Sequence, residues 1–138
     1  STVKIPGIGN GDIESPRQAR GVRKKTGAAA VMIGRAALGK PWIFRDFENS
    51  LPNGTPSHRL LQSEKNEIIN RHLRAIHGFY GETQGVRIAR KHIGWYLREI
   101  PLGRGFTRHF NSLDAARSQI DALTEFFKDN ESFRDRAA

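Results

Sequence analysis

Val3-Lys4-Ile5-Pro6-Gly7-Ile8 running into Gly9-Asn10-Gly11-Asp12-Ile13, and Ala30-Val31-Met32-Ile33 running into Gly34-Arg35-Ala36-Ala37, are the two stretches on which the fold turns. Each is a short apolar run that ends in a glycine-bearing turn, the pattern of a strand and its exit. A helix is expected between them, from about Ser15 to Thr26, which gives a crossover of the length that parallel pairing requires. Parallel strands put both turns at the same edge, their carboxyl ends, where open α/β sheets and barrels place ligands.

Both turns have the chemistry of an anion site. Asn10-Gly11 allows positive φ and close backbone approach, and Gly34 is expected to do the same. A helix beginning near Ala36 would direct unpaired amides at a phosphate, with Arg35 adding a forked cationic donor. Taken singly, each turn is also what an ordinary strand end requires, and Arg35 an ordinary surface cation. On adjacent parallel strands the pair favours a phosphate site. Asp12, acidic beside an anion, is expected to orient backbone amides or Arg35.

The chain has 138 residues, enough for a modest domain with a core and too few for a (β/α)8 barrel of about 250. The net charge of +9 favours a polyanionic partner such as nucleic acid. The absence of cysteine excludes disulfides and thiolate metal sites, and is compatible with a reducing cytoplasm. No apolar run approaches the length of a membrane span, and no signal peptide is visible.

Downstream, a helix is expected from about Trp42 to Ser50, with Trp42, Phe44 and Phe47 available to close an apolar layer. Leu51-Pro52-Asn53-Gly54-Thr55-Pro56-Ser57 combines breakers of regular structure and marks the domain junction. Beyond it the apolar spacing is helical. Ile68, Ile69, Leu73, Ile76, Phe79 and Tyr80 define a first helix stopped by Gly81. Val86, Ala89, Ile93, Tyr96 or Leu97, and Ile100 line one face of a second, from Thr83 to Glu99. Pro101 to Gly105 reads as a loop, followed by a short turn through Phe106 to Phe110. A last helix, opened by an Asn111–Asp114 capping pair, turns Leu113, Ala116, Ile120, Leu123 and Phe127 inward, with a charged tail after Lys128 expected to fray. Three such helices can share a small core.

Opposite the apolar stripe of the second helix lie Arg87, Arg90, Lys91 and Arg98, flanked by His92 and Trp95. From Gln84 to Phe110 the only acidic residue is Glu99. A basic stripe interleaved with aromatics suits RNA, cations for phosphates and planar groups for unpaired bases. The mixed charges Glu64, Glu67, Arg71 and Arg74 read as solvation. His72 and His77, five apart, do not share a helix face, so no metal site is expected.

Gly9-Asn10-Gly11-Asp12-Ile13, Met32-Ile33-Gly34-Arg35-Ala36-Ala37, Gly39-Lys40-Pro41-Trp42-Ile43-Phe44, Gly78-Phe79-Tyr80-Gly81 and Arg87 to Leu97 together resemble the C-terminal part of the tRNA-dihydrouridine synthases, the bacterial B-type above all. The resemblance covers almost the whole chain. It implies an α/β plus all-α protein. Residues 1–51 would be the last two β/α units of an FMN-binding (β/α)8 barrel and residues 52–138 a helical tRNA-binding domain. Asn10, Gly11, Asp12, Gly34 and Arg35 would hold the FMN phosphate, and Arg87, Arg90, Lys91 and His92 would meet tRNA, with Trp95 and Tyr96 less surely placed. The implied activity is reduction of the C5–C6 double bond of a tRNA uridine, with NADPH as reductant, in a cytoplasmic monomer. The family's proton-donating cysteine is absent here, so an inactive C-terminal fragment is expected, one whose barrel portion does not fold alone. Two rival readings are a stand-alone RNA-binding helical module and another FMN-dependent barrel oxidoreductase.

Overall fold

The structure, a computed structural model, describes residues 4–50 and 60–137, with 131–137 as backbone only. The residues fall into two compact units, unit 1 through residue 59 and unit 2 from Leu60. The junction expected at Leu51 to Ser57 lies outside the described residues.

Unit 1 begins with β1 (Ile8–Gly9), α1 (Pro16–Thr26) and β2 (Ala30–Val31), and the strands pair in parallel with Ile8 opposite Ala30 and Gly9 opposite Val31. The strands are shorter than the expected runs from Val3 and to Ile33. Amides of Ala29 and Met32 donate to the carbonyls of Gly7 and Gly9, at 2.9 and 2.8 Å. Pro6 has no amide to extend the ladder, and among the described residues no third strand pairs with either edge. The crossover helix is well specified locally. Ser15 accepts from the Gln18 amide while the Gln18 side chain accepts from the Ser15 amide, Pro16 occupies the first turn, and Gly27 ends the helix at φ 70°. A Cβ on Gly9 would lie 3.1 Å from Val22 Cγ1, so the bare backbone of β1 admits α1 closely.

After β2 the chain forms a three-residue 3-10 turn, Arg35–Ala37, in place of the α-helix expected to begin near Ala36. The next helix, α2 (Ile43–Asn49), buries Ile43, while Trp42 and Phe47 are half-buried and Phe44 is exposed.

Unit 2 opens with α3 (Gln62–Tyr96), which is broken at Gly81 (φ 72°, ψ −179°) into arms 62–80 and 82–96. The arms run back along one another. A Cβ on Gly85 would lie 2.9 Å from His77 Cα, and the His72 and His92 rings meet at 5.1 Å. A 3-10 turn (Leu97–Glu99) leads to α4 (Gly103–Ser112) and α5 (Ala116–Ala137). The core joins Ile69, Leu73 and Ile76 of the first arm to Val86, Ala89 and Ile93 of the second, with Leu97, Phe110, Leu123 and Phe127. Leu97, not Ile100, closes the inward stripe, and Phe79 and Tyr80 are exposed rather than inward.

Two other expectations for unit 2 give way to tertiary contacts. The glycine-rich stretch expected as a loop starts α4, because Leu102 turns the chain at φ 61° and Gly103 sits where a Cβ would come within 2.2 Å of the Leu97 carbonyl oxygen. The N-terminus of α5 is met by Glu82, whose carboxylate accepts from the Ala116 amide at 2.7 Å, while Asn111 belongs to α4. The last helix spans Ala116–Ala137 and includes the charged stretch after Lys128.

Candidate functional site

The parallel register brings the two turns of unit 1 together around one recess of about 290 Å³. Asn10, Gly11 and Asp12 enter from the turn after β1, and Gly34, Arg35 and Ala36 from the turn after β2. All five residues expected at a phosphate therefore line a single concavity. Gly11 reaches φ 147° and Asp12 φ 40°, a conformation that aspartate tolerates better than most residues. Gly34 differs from expectation, with φ −103°, so positive φ is not its contribution. A Cβ at Gly11 or Gly34 would have nothing within 4 Å, so both glycines leave bare backbone beside open space.

The Arg35 guanidinium donates to the Asp12 carboxylate, and both side chains are mostly exposed. The ion pair ties the second turn to the first and holds the guanidinium at the recess. The donor set suits a phosphate-bearing group, with backbone amides at the turns and a forked cation at the rim. Asp12 and Glu14 also line the recess, so its lining is mixed in sign and an anion would compete with Asp12 for Arg35.

The basic residues of unit 2 divide. Arg87 and Lys91, one turn apart on the second arm of α3, are exposed, as is Arg98. Arg90 is turned inward. Its Nη2 donates to the Leu113 carbonyl at 3.1 Å, satisfying the chain at the end of α4, and its Nε is buried with no partner among the described residues. Lys91 Nζ lies 4.9 Å from the centre of the Trp95 ring, a cation–π contact. His92 meets Trp95 on one side and His72 on the other, both at 5.1 Å and edge to face. His72 Nδ1 is 2.8 Å from the Tyr96 hydroxyl. Burial lowers the His72 pKa and raises that of Tyr96, so a neutral imidazole accepting from the phenol is the consistent pairing. His92 is lowered by burial first, then by the charges of His72 and Lys91, and is a neutral ring rather than a cation at pH 7.

His72 does not stand out in the sequence, because its partners lie twenty or more residues away across the break at Gly81. Among the described residues no three His, Cys, Asp or Glu side chains gather as a metal site, and no helix is long and apolar enough to cross a membrane.

Comparison with known proteins bears on both units. The family model described as dihydrouridine synthase (Dus) matches residues 1–132. A tRNA-dihydrouridine synthase B of Vibrio parahaemolyticus is 50% identical over 125 residues, which are 91% of this chain and 39% of that protein. Another, of Pseudomonas syringae pv. tomato, is 46% identical over 142 residues, 99% of this chain and 42% of that one. The chain thus spans about two-fifths of the length of these relatives.

Proposed function

The chain belongs to the dihydrouridine synthase family, and on that premise we propose that it is the C-terminal part of a flavin-dependent tRNA-dihydrouridine synthase. Unit 1 supplies the last two β/α units of a (β/α)8 barrel, and unit 2 is the tRNA-binding domain, with the boundary near residues 51–52. The chemistry that a bound FMN supplies is hydride transfer to the C5–C6 double bond of a tRNA uridine, with NADPH as the reductant. The uridine has to leave its stack to be reached. This chain contains no cysteine to donate the accompanying proton, so by itself it is inactive. The protein works as a cytoplasmic monomer without a metal.

The observation that supports this most is the convergence of Asn10, Gly11, Asp12, Gly34 and Arg35 on one recess at the carboxyl ends of two parallel strands. The turn amides and Arg35 hold the FMN phosphate, and Asp12 orients Arg35. In unit 2, Arg87 and Lys91 meet tRNA phosphates. Trp95 and His92 offer ring surface, and Arg90 acts by holding the end of α4. The relatives bear the name of an enzyme acting on tRNA, which favours neither rival, the stand-alone RNA module nor another flavin oxidoreductase.

The test is flavin retention in the full-length protein. Arg35→Ala is expected to weaken FMN binding by about 1–3 kcal/mol, the range for a charged hydrogen bond. Unchanged flavin content would remove Arg35 from the site, and a full-length protein that never carries flavin would remove the enzyme.

A further inference from the structure

We propose that α1 carries a second RNA-binding face, on which Arg17, Arg20 and Lys24 hold the phosphate backbone of the same tRNA. This inference rests on the reading of the protein as a tRNA enzyme and adds to it a surface on unit 1.

The charge of the chain is not where the basic stripe of α3 suggests. Residues 1–59 hold ten Lys and Arg against four Asp and Glu, whereas residues 60–138 hold thirteen against ten. Half of the unit 1 cations, Arg17, Arg20, Arg23, Lys24 and Lys25, fall in the eleven residues of α1, and all five are exposed. Arg17, Arg20 and Lys24, at i, i+3 and i+7, share one face. The opposite face holds buried Ala19 and half-buried Val22, which meets β1 at Gly9. The basic face is therefore the outward one, and from it Arg20 also donates through Nη1 to the Ser50 carbonyl at 3.3 Å.

Helix stability accounts for Arg23, Lys24 and Lys25, which lie in the last turn where the dipole favours a cation, but not for Arg17 and Arg20. Arg17 lies in the first turn, where the helix dipole disfavours a cation. No acidic residue in α1 can pair with any of the five. An ordinary solvated helix mixes signs and gains from pairs one turn apart, as Arg117 and Asp121 do at 2.8 Å on α5. A one-sign face facing solvent gains most when it meets a polyanion, through release of that polyanion's counterions.

The geometry selects among polyanions. An anionic membrane surface would be met by a helix whose apolar face points outward. The apolar face of α1 is turned into unit 1. With no aromatic residue on α1, base stacking is not its role, so it meets phosphates without regard to sequence. The helix also starts beside the recess, since Ile13 and Glu14 line it and Pro16 opens α1. It extends about 16 Å from there, at 1.5 Å per residue.

The experiment measures binding of an unmodified tRNA transcript to the full-length protein between 50 and 200 mM salt. Substituting Arg17→Gln, Arg20→Gln and Lys24→Gln together is expected to lower the slope of log affinity against log salt by about 2 to 3, near 0.9 for each phosphate no longer neutralised. Affinity at the lowest salt should fall roughly tenfold or more, with flavin content kept as the measure of folding. Arg17→Lys with Arg20→Lys retains the charges and should keep the original slope. If the triple variant does not fold, Lys24→Gln alone decides, with an expected slope change of about 1. An unchanged slope in the folded variant, with Arg87→Gln and Lys91→Gln still lowering it, overturns the α1 face and leaves the tRNA reading standing. Absence of salt-dependent tRNA binding in the unsubstituted protein overturns both. Loss of binding to phosphatidylserine vesicles with tRNA affinity unchanged would give α1 to a membrane instead.

Discussion

Unit 2 and unit 1 place their apolar side chains in opposite ways. In unit 2, Ile69, Leu73, Ala89, Ile93, Leu97, Phe110 and Leu123 are at most 1% exposed, each covered by residues of the same unit. In unit 1 the apolar residues of the strand region face outward, with Ile5 75%, Ile8 69% and Met32 49% exposed. The contrast follows from architecture. A helical hairpin with two further helices encloses a core by itself, whereas two parallel strands and a crossover helix leave edges and one face open. The open surfaces of unit 1 are those that further strands would cover in the proposed barrel. Unit 2 has its own exception, the exposed pair Phe79 and Tyr80, whose rings meet edge to face at 4.8 Å beside the Gly81 break.

Four measurements on the 138-residue chain would break or sharpen this contrast. Phe110→Ala removes the largest fully buried side chain among the described residues and is expected to cost unit 2 about 3–5 kcal/mol in chemical denaturation. A loss below about 1 kcal/mol would mean that the unit 2 core is not the cooperative part. Gly81→Ala forces a side chain into a backbone region that is essentially glycine's, for about 1–3 kcal/mol. An unchanged midpoint would show that the two arms need no sharp break.

Acidification comes next. His72 and His92 titrate below the ordinary histidine value of 6.5 in the folded state, so between that value and their lowered ones the unfolded chain binds more protons. Their contribution is therefore fully present above pH 6.5 and is lost as the pH falls below it. His72→Gln with His92→Gln should flatten that dependence, and an unflattened profile would assign it elsewhere. The smallest effect is expected at Ile8→Ala, within about 0.5 kcal/mol because the side chain is exposed. In the same experiment, hydrogen exchange should find the Ile8 and Ile33 amides unprotected and those of α3 protected. Protection in β1 would show that unit 1 holds its ladder unaided.

Much of the local structure is legible from neighbours in the chain. The helix from Ser15 to Thr26, the stop at Gly81 and the inward sequence Val86, Ala89 and Ile93 all rest on local residue choice and on spacings of three or four residues, which helix geometry fixes. The two turns of unit 1 are legible for the same reason, and their convergence follows from the parallel crossover. The excess of cations on α1 is equally visible, but only the basic stripe from Arg87 to Arg98 has aromatic residues beside it to mark it as suited to RNA.

What the sequence by itself determined is thus the period and the breaks, because each depends on residues within about one helical turn. The tertiary structure alone decided which polar groups answer one another. Arg90, part of a basic stripe by spacing, turns to the Leu113 carbonyl, and Glu82 reaches the amide of Ala116. His77 donates through Nε2 to Gln119, whose amide nitrogen donates in turn to the Val86 carbonyl. Gly103 opens a helix because the Leu97 carbonyl leaves no room for a side chain. These partners lie between six and forty-two residues apart. A buried polar group is satisfied by whatever packing brings to it, and that is settled only once the helices have met.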